Sequence, residues 1–352
     1  MLQNSILSIL IWLPVFGAVI VLFTGGDKNA NLARIIASMV ALANLLLCIP
    51  LYLGFDASTA NMQFQEMHLW ISAYQIYYAV GVDGISLAMI ILTNFTGLLV
   101  ILAGCQAIKV RVSQYMAAFL VMQGMMIGVF AATDAILFYV FWEGMLIPMY
   151  LSIGMWGSAN RNYASIKFFL YTFLGSILML IALLYLYNYT GVFNIRDYYG
   201  LHLPIEIQKY VFFAFLLAFA VKVPMWPVHT WLPDAHTEAP SGGSVVLAAL
   251  MLKLGIYGFL RFSLPIVPDA CADLAWVMII LSLIAIVYIG LVAIVQSDMK
   301  KLIAYSSIAH MGFATLGCFM VYEIVKDRTN YFDAYMSLEG AVIQMISHAF
   351  GS

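Results

Sequence analysis

The sequence predicts an all-α, polytopic helical membrane protein, and three observations carry that prediction. Of its 352 residues, 64% are hydrophobic and 9% are charged, and the mean hydropathy is +0.98. Such a chain cannot cover a soluble surface of ordinary polarity. Apolar stretches of about 20 residues recur along it, each long enough as a helix to cross about 30 Å of hydrocarbon. One of them carries a lysine with two prolines within the next five residues, which calls for a polar interior at membrane depth.

Taken in order, the spans fall near Ser5–Phe23, Leu32–Leu53, Val82–Gly104, Gln114–Ala132, Ala135–Trp156, Ser165–Tyr187, Val211–Pro233, Ser241–Phe262, Leu274–Gln296 and Leu302–Tyr322, with another starting near Tyr335. The first lacks a basic flank and a small-residue cleavage pattern, so it reads as a retained helix rather than a signal peptide. Asp83 and Asp134 open the third and fifth spans as helix caps, with the acid at the positive dipole end. Ser241, Gly242 and Gly243 let helices approach closely at the start of the eighth. No soluble domain fits between the spans. Asp56–Gly81 reads as an outer loop, and Asn188–Gln208 as a connection with a short surface helix or strand. His68 and His202 lie in these loops.

Charge narrows the function classes. The net charge of −2 and the lack of a basic block argue against a nucleic-acid partner. With the amino terminus outside, the inner loops carry Lys28, Arg34, Lys109, Arg111, Arg161, Lys167, Lys300 and Lys301. The outer loops then carry Arg196, Lys209, Arg261, Lys326 and Arg328, and Asp56–Gly81 has no Lys or Arg, as the positive-inside rule prefers. Cys48, Cys105, Cys271 and Cys318 have neither metal-type nor redox-type spacing and read as apolar filler.

Few charges remain inside the spans. Glu143 sits in LFYVFWEGMLIPMYL, Lys222 in VFFAFLLAFAVKVPMWPVHTWLP, and Lys253 in VVLAALMLKLGIYGF. A charge at bilayer depth costs roughly 2.5–3.5 kcal/mol on insertion scales, so a compensated site is the least costly way to keep all three. Pro224 and Pro227 break the helix after Lys222. A static ion pair that fixes packing is the plain reading of Glu143 and Lys222. A switchable pair is the functional one, because a desolvated lysine loses its proton more readily and a nearby carboxylate restores it. Lys253, with no acid close in sequence, is a natural next proton site. His229, His236, His310 and His348 are candidate relays, with Thr230, Tyr305, Ser306 and Ser307 able to hold water between them. The spacing of His229, Asp234, His236 and Glu238 matches no common metal-ligand pattern, so no metal is expected there. No P-loop, dinucleotide fingerprint, haem or iron–sulfur ligand set is present, so redox chemistry is not expected in this chain.

The block LAFAVKVPMWPVHTWLPDAHTEAPSGGSVVLAALMLKLGIYGFLR, with VGVDGISL, FYVFWEGMLIPMYLSIGMWG, KKLIAYSSIAHMGF and EGAVIQMISHAF, resembles the antiporter-like membrane subunits of proton-pumping NADH:quinone oxidoreductase, respiratory complex I. The form around Lys253 resembles the M, or chain 4, type. The resemblance implies amino-terminal helices over 1–112, a first five-helix repeat over 113–262 and an incomplete second repeat over 272–352. It implies that Glu143 and Lys222 match the family's ion pair, Lys253 its central lysine, and His229, His236 and His310 positions near its proton path. No cofactor is implied in this chain; NADH, FMN, iron–sulfur clusters and quinone belong to partner subunits. The implied partners are other membrane subunits, including antiporter-like neighbours, and the lipid of a bacterial inner (cytoplasmic) membrane. Members of the family are longer, and this sequence stops within an apolar run at His348–Ser352, so a truncated second repeat is expected. Two alternatives stand beside this reading. One is a homologous subunit of a multi-subunit sodium/proton antiporter or membrane-bound hydrogenase; the other is a structural membrane scaffold.

Overall fold

Helices account for nearly all of the regular structure in the computed structural model, which describes residues 5–326 and 331–351. Arg328, one of the outer-loop charges, lies outside the described residues. The helices are α1 (Ile6–Leu22), α2 (Ala30–Leu53), α3 (Gly84–Ala107), α4 (Val112–Ala131), α5 (Ala135–Gly144), α6 (Leu146–Trp156), α7 (Arg161–Thr190), α8 (Ile205–Lys222) and α9 (Trp231–Glu238). They continue with α10 (Ser241–Ile266), α11 (Pro268–Asp273), α12 (Ala275–Ile294), α13 (Met299–Lys326) and α14 (Tyr331–Gly351). Among the described residues, eight segments are long and apolar enough to cross a membrane, α5 and α6 together forming one of them, and α1 is a shorter apolar helix. Each predicted span has a counterpart. The span Val211–Pro233 breaks into α8 and α9 with a non-helical stretch between them, whereas Ala135–Trp156 is interrupted at a single residue, Met145, between α5 and α6.

Contacts divide the chain into two compact units. The first comprises residues 1–157, 192–194 and 240–246, and the second 158–191, 195–239 and 247–352. In the first unit, α1 to α4 pack on one another around a buried amide cluster. Asn44 on α2 donates through Nδ2 to the Leu10 carbonyl at 3.1 Å and to Asn94 Oδ1 on α3 at 2.7 Å. Gln123 on α4 donates to the same Asn94 oxygen at 2.8 Å, so one side chain ties three helices together. Polar groups of this kind hold helices where lipid offers no hydrophobic gain from association.

The ends of this unit differ in charge. At one end, the Asp27 carboxylate accepts the backbone N–H groups of Arg111 and Val112 at 2.9 and 2.8 Å, which holds its carboxyl below the usual aspartate range. Arg34 donates to the Ile108 carbonyl beside them at 2.9 Å. The opposite end carries an antiparallel hairpin, β1 (Gln63–Ile71) and β2 (Ile76–Val82), where the sequence reads as a plain loop; His68 therefore lies in a strand. Aromatic and branched residues on both sides of a tight turn favour pairing there. Glu66 projects from β1 onto the start of α1, accepting Leu7 N–H at 2.9 Å, Ser8 N–H at 3.2 Å and the Ser8 hydroxyl. A carboxylate suits the positive end of a helix, and the hairpin is anchored by it. Asp83 accepts Ser86 N–H at 3.0 Å, and Asp134 accepts those of Ile136, Leu137 and Tyr77 at 2.9, 3.0 and 3.1 Å, so both act as the predicted caps. A Cβ on Gly242 would run into the Tyr115 hydroxyl and lie 2.9 Å from Val100 Cγ1, which accounts for the glycine.

In the second unit, the connection after α7 contains a short 3-10 turn, Ile195–Tyr198, before α8 begins at Ile205. Lys209 pairs with Asp273 at 2.6 Å, and Gln208 donates to Asp269 at 2.8 Å. Halfway along, α10 crosses the end of α8 at Gly255. A Cβ there would stand 2.5 Å from Val223 Cγ2 and 2.8 Å from the Phe219 carbonyl oxygen.

Asn94→Leu removes the acceptor shared by Asn44 and Gln123 and is expected to destabilise the first unit by about 1–3 kcal/mol, read as a lowered thermal unfolding midpoint. Gly255→Val has backbone in its way and is expected to abolish accumulation of folded protein in membranes. Gly290 is the control: a Cβ there meets nothing within 4 Å, so Gly290→Ala should accumulate normally.

Candidate functional site

The break in the second unit begins where α8 ends, at Lys222. Pro224 and Pro227 cannot donate backbone hydrogen bonds, and residues 223–230 are non-helical. The chain turns by Met225 N–H donating to the Ala220 carbonyl at 2.8 Å, and the Trp226–Pro227 peptide is cis. Lys222, only 1% exposed, therefore occupies the last turn of a helix, where the unpaired carbonyls favour a cation. Trp231 Nε1 donates to the Val221 carbonyl at 2.8 Å and ties the start of α9 back to this turn.

The most telling contact lies on α10. Residues Leu247–Met251 form a π-helical turn, and a second covers Phe259–Ser263. Widened turns of this kind displace carbonyls from their usual partners four residues on. Lys253 is fully buried, and its side chain runs back along the helix to donate to the Ala248 carbonyl at 2.5 Å. Its Nζ also lies 2.6 Å from Nδ1 of His348 on α14, 95 residues away in sequence. At that distance one proton serves both nitrogens: an ammonium donates to the imidazole lone pair, or Nδ1–H donates to a neutral amine. Charging both would cost about 6 kcal/mol at an effective dielectric near 20. The contact is therefore one in which the two nitrogens share a single proton.

The other predicted groups fall as follows. His348 is 6% exposed, and its ring centroid is 5.5 Å from that of His310, whose ring is exposed and meets Gln344 Nε2 at 3.2 Å. Lys253, His348 and His310 thus step from the interior to the lateral surface of the second unit. His236 on α9 is 3% exposed, while His229 lies half-buried in the non-helical stretch. Thr230 bonds Tyr171 at 3.0 Å, and Ser306 donates to the Ile303 carbonyl of its own helix at 2.8 Å. Among the described residues, no group of three or more His, Cys, Asp or Glu side chains could hold a metal ion.

Glu143 belongs to the first unit. It is half-buried one residue before the end of α5, and the helix is interrupted at Met145. Pro148 explains the interruption, since its ring crowds the carbonyl four residues earlier, at Gly144. The acid therefore stands at a kink.

The sequence alone does not pair Lys253 with His348, nor point to the Ala248 carbonyl, Gln344, or the Lys167–Asp234 ion pair at 2.7 Å. Lys167 reads there only as a loop charge. Nothing in the local sequence of α10 announces a π turn, and a partner 95 residues away leaves no local signal.

Comparison with known proteins identifies the family. Residues 132–352 match the family described as NADH:quinone oxidoreductase/Mrp antiporter, TM. NADH-quinone oxidoreductase subunit M of Rhodobacter capsulatus is 45% identical over 99% of this chain and 68% of its own length. Among solved structures, a chain of respiratory complex I from Thermus thermophilus with bound NADH aligns with a TM-score of 0.80 at 28% identity, covering 98% of this chain and 71% of that one. A chain of the Mrp complex from Dietzia sp. also reaches a TM-score of 0.80, at 19% identity over 97% of this chain and 36% of that one, a likeness of fold alone. With its broken helix, buried lysines and these matches, the chain belongs to the NADH:quinone oxidoreductase/Mrp antiporter transmembrane family.

Proposed function

We propose that this chain is a membrane subunit of NADH:quinone oxidoreductase, complex I, that moves protons across the membrane while other subunits carry electrons from NADH to quinone. The observation that carries the proposal is the buried Lys253–His348 contact at 2.6 Å, which has the chemistry of a proton site and gives the fold little that an apolar pair would not. The family includes Mrp antiporters, but the 45%-identical relative named as subunit M favours this reading over a sodium/proton antiporter, since the Mrp chain aligns at only 19% identity.

In this reading Lys253 and His348 exchange one proton, and His310 takes it onward through a bridging water. Lys222 at the helix break and Glu143 at the kink of α5 are further members of the path, with His229 and His236 beside the broken segment. The cofactors NADH, FMN, iron–sulfur clusters and quinone sit in partner subunits, and antiporter-like subunits are the neighbours. Residues 113–262 form one five-helix repeat and 272–352 belong to a second. In this reading the basic end of the first unit faces the cytoplasm of a bacterial inner membrane and the amino terminus lies outside, as the positive-inside rule favours. Each charge crossing the membrane works against about 2.3 kcal/mol per 100 mV, so the path requires redox free energy from those neighbours.

The test is NADH-driven proton pumping, scored with NADH:quinone turnover and complex assembly, in membranes carrying Glu143→Gln or Lys222→Ala. Assembly is expected to survive while pumping falls at least tenfold. Normal pumping in both variants would remove Glu143 and Lys222 from the path, and loss of assembly alone would favour a structural scaffold.

A further inference from the structure

Lys300 reads in the sequence as one of two adjacent loop lysines, yet its side chain is committed. Half-buried one residue into α13, its Nζ donates to the Ala239 carbonyl at 2.8 Å and to the Thr237 carbonyl at 3.3 Å. Both carbonyls belong to the end of α9, where a helix offers acceptors that need a donor from outside. Pro240 follows directly and has no N–H to give. A cation is the preferred donor there, because the helix dipole leaves that end negative.

The same segment is held at three other points. Trp231 binds its start to the Val221 carbonyl, Asp234 pairs with Lys167 of α7 at 2.7 Å, and Glu238 accepts the Asn160 N–H at the start of α7 at 2.9 Å. These contacts tie α9 to α8 and α7, and Lys300 ties its end to α13 through charge. His236 lies between the Asp234 and Lys300 fastenings and is 3% exposed. Eight residues between two breaks, Pro227 before and Pro240 after, have no helical continuation to fix their pose.

We infer that Lys300 is a positioning residue: its ammonium latches the end of α9 to α13 and thereby sets the place of His236 for proton exchange. The latch stands on geometry alone, while its role in transport rests on the function proposed above.

The experiment uses the whole complex in membranes, carrying Lys300→Arg, Lys300→Gln or Lys300→Met in this subunit. Arginine keeps the charge and can reach two carbonyls, glutamine keeps a donor without the charge, and methionine keeps only the length. Hydrogen–deuterium exchange of residues 231–239 is expected to be at least tenfold faster in K300M and native in K300R. Protons pumped per NADH are expected to fall at least twofold in K300M and to return in K300R. Native exchange in K300M would overturn the latch. Fast exchange with native pumping would overturn the positioning role. Should K300M fail to assemble, K300Q takes its place and the same two results decide. Exchange reports on the latch whatever the pumping does, so failure of the transport reading, seen as normal pumping in the Glu143 and Lys222 variants, remains distinguishable from failure of the latch.

Discussion

A lysine amine buried among apolar helices must find every partner within the protein, and the second unit is organised around meeting that requirement for Lys253. The Ala248 carbonyl, on the π turn of the same helix, takes one N–H, and the amine shares a proton with His348 Nδ1. Both contacts depend on backbone placement rather than on charge. The π turn sets the carbonyl within reach of a side chain that points back along its helix. Gly255, two residues on, lets α10 lie against the end of α8, which is also where Lys222 sits. His348 arrives from α14, which packs on α13 and against the π turn.

The helix break meets the same demand by other means. Prolines end α8, and in doing so they leave helix-end carbonyls at membrane depth that cost several kcal/mol each if left without donors in hydrocarbon. Trp231 meets one of these, at Val221, and Lys300 does the same for two carbonyls that the end of α9 leaves open. Irregular backbone is thus tolerated where specific side chains cover it. The same device appears in the first unit, where Asn94 serves two donors from neighbouring helices and Glu66 covers the open start of α1.

Much of this is legible in the residues. Apolar periods mark the spans because lipid imposes a length, and Asp83 and Asp134 announce helix starts because a short acidic side chain before an apolar run has a local job. Pro224 and Pro227 announce the break. The charges Glu143, Lys222 and Lys253 stand out because their cost in hydrocarbon demands a reason. What stays hidden is non-local or ambiguous. The hairpin over Gln63–Val82 has strand-like residues, but in a segment lacking Lys and Arg the stronger signal is topology rather than pairing. Lys300 and Lys167 look like ordinary loop charges, since a latch is visible only once the carbonyls and carboxylate they meet are in place. The Lys253–His348 contact requires the fold itself.

The most direct measurement of the central claim is the ratio of protons pumped to NADH oxidised by the complete complex in sealed vesicles with His348→Gln. Glutamine retains a donor and an acceptor but cannot carry the proton's charge. If Lys253 and His348 share a transported proton, the complex assembles, and the ratio falls clearly below that of the unsubstituted complex. An unchanged ratio at unchanged turnover would contradict it.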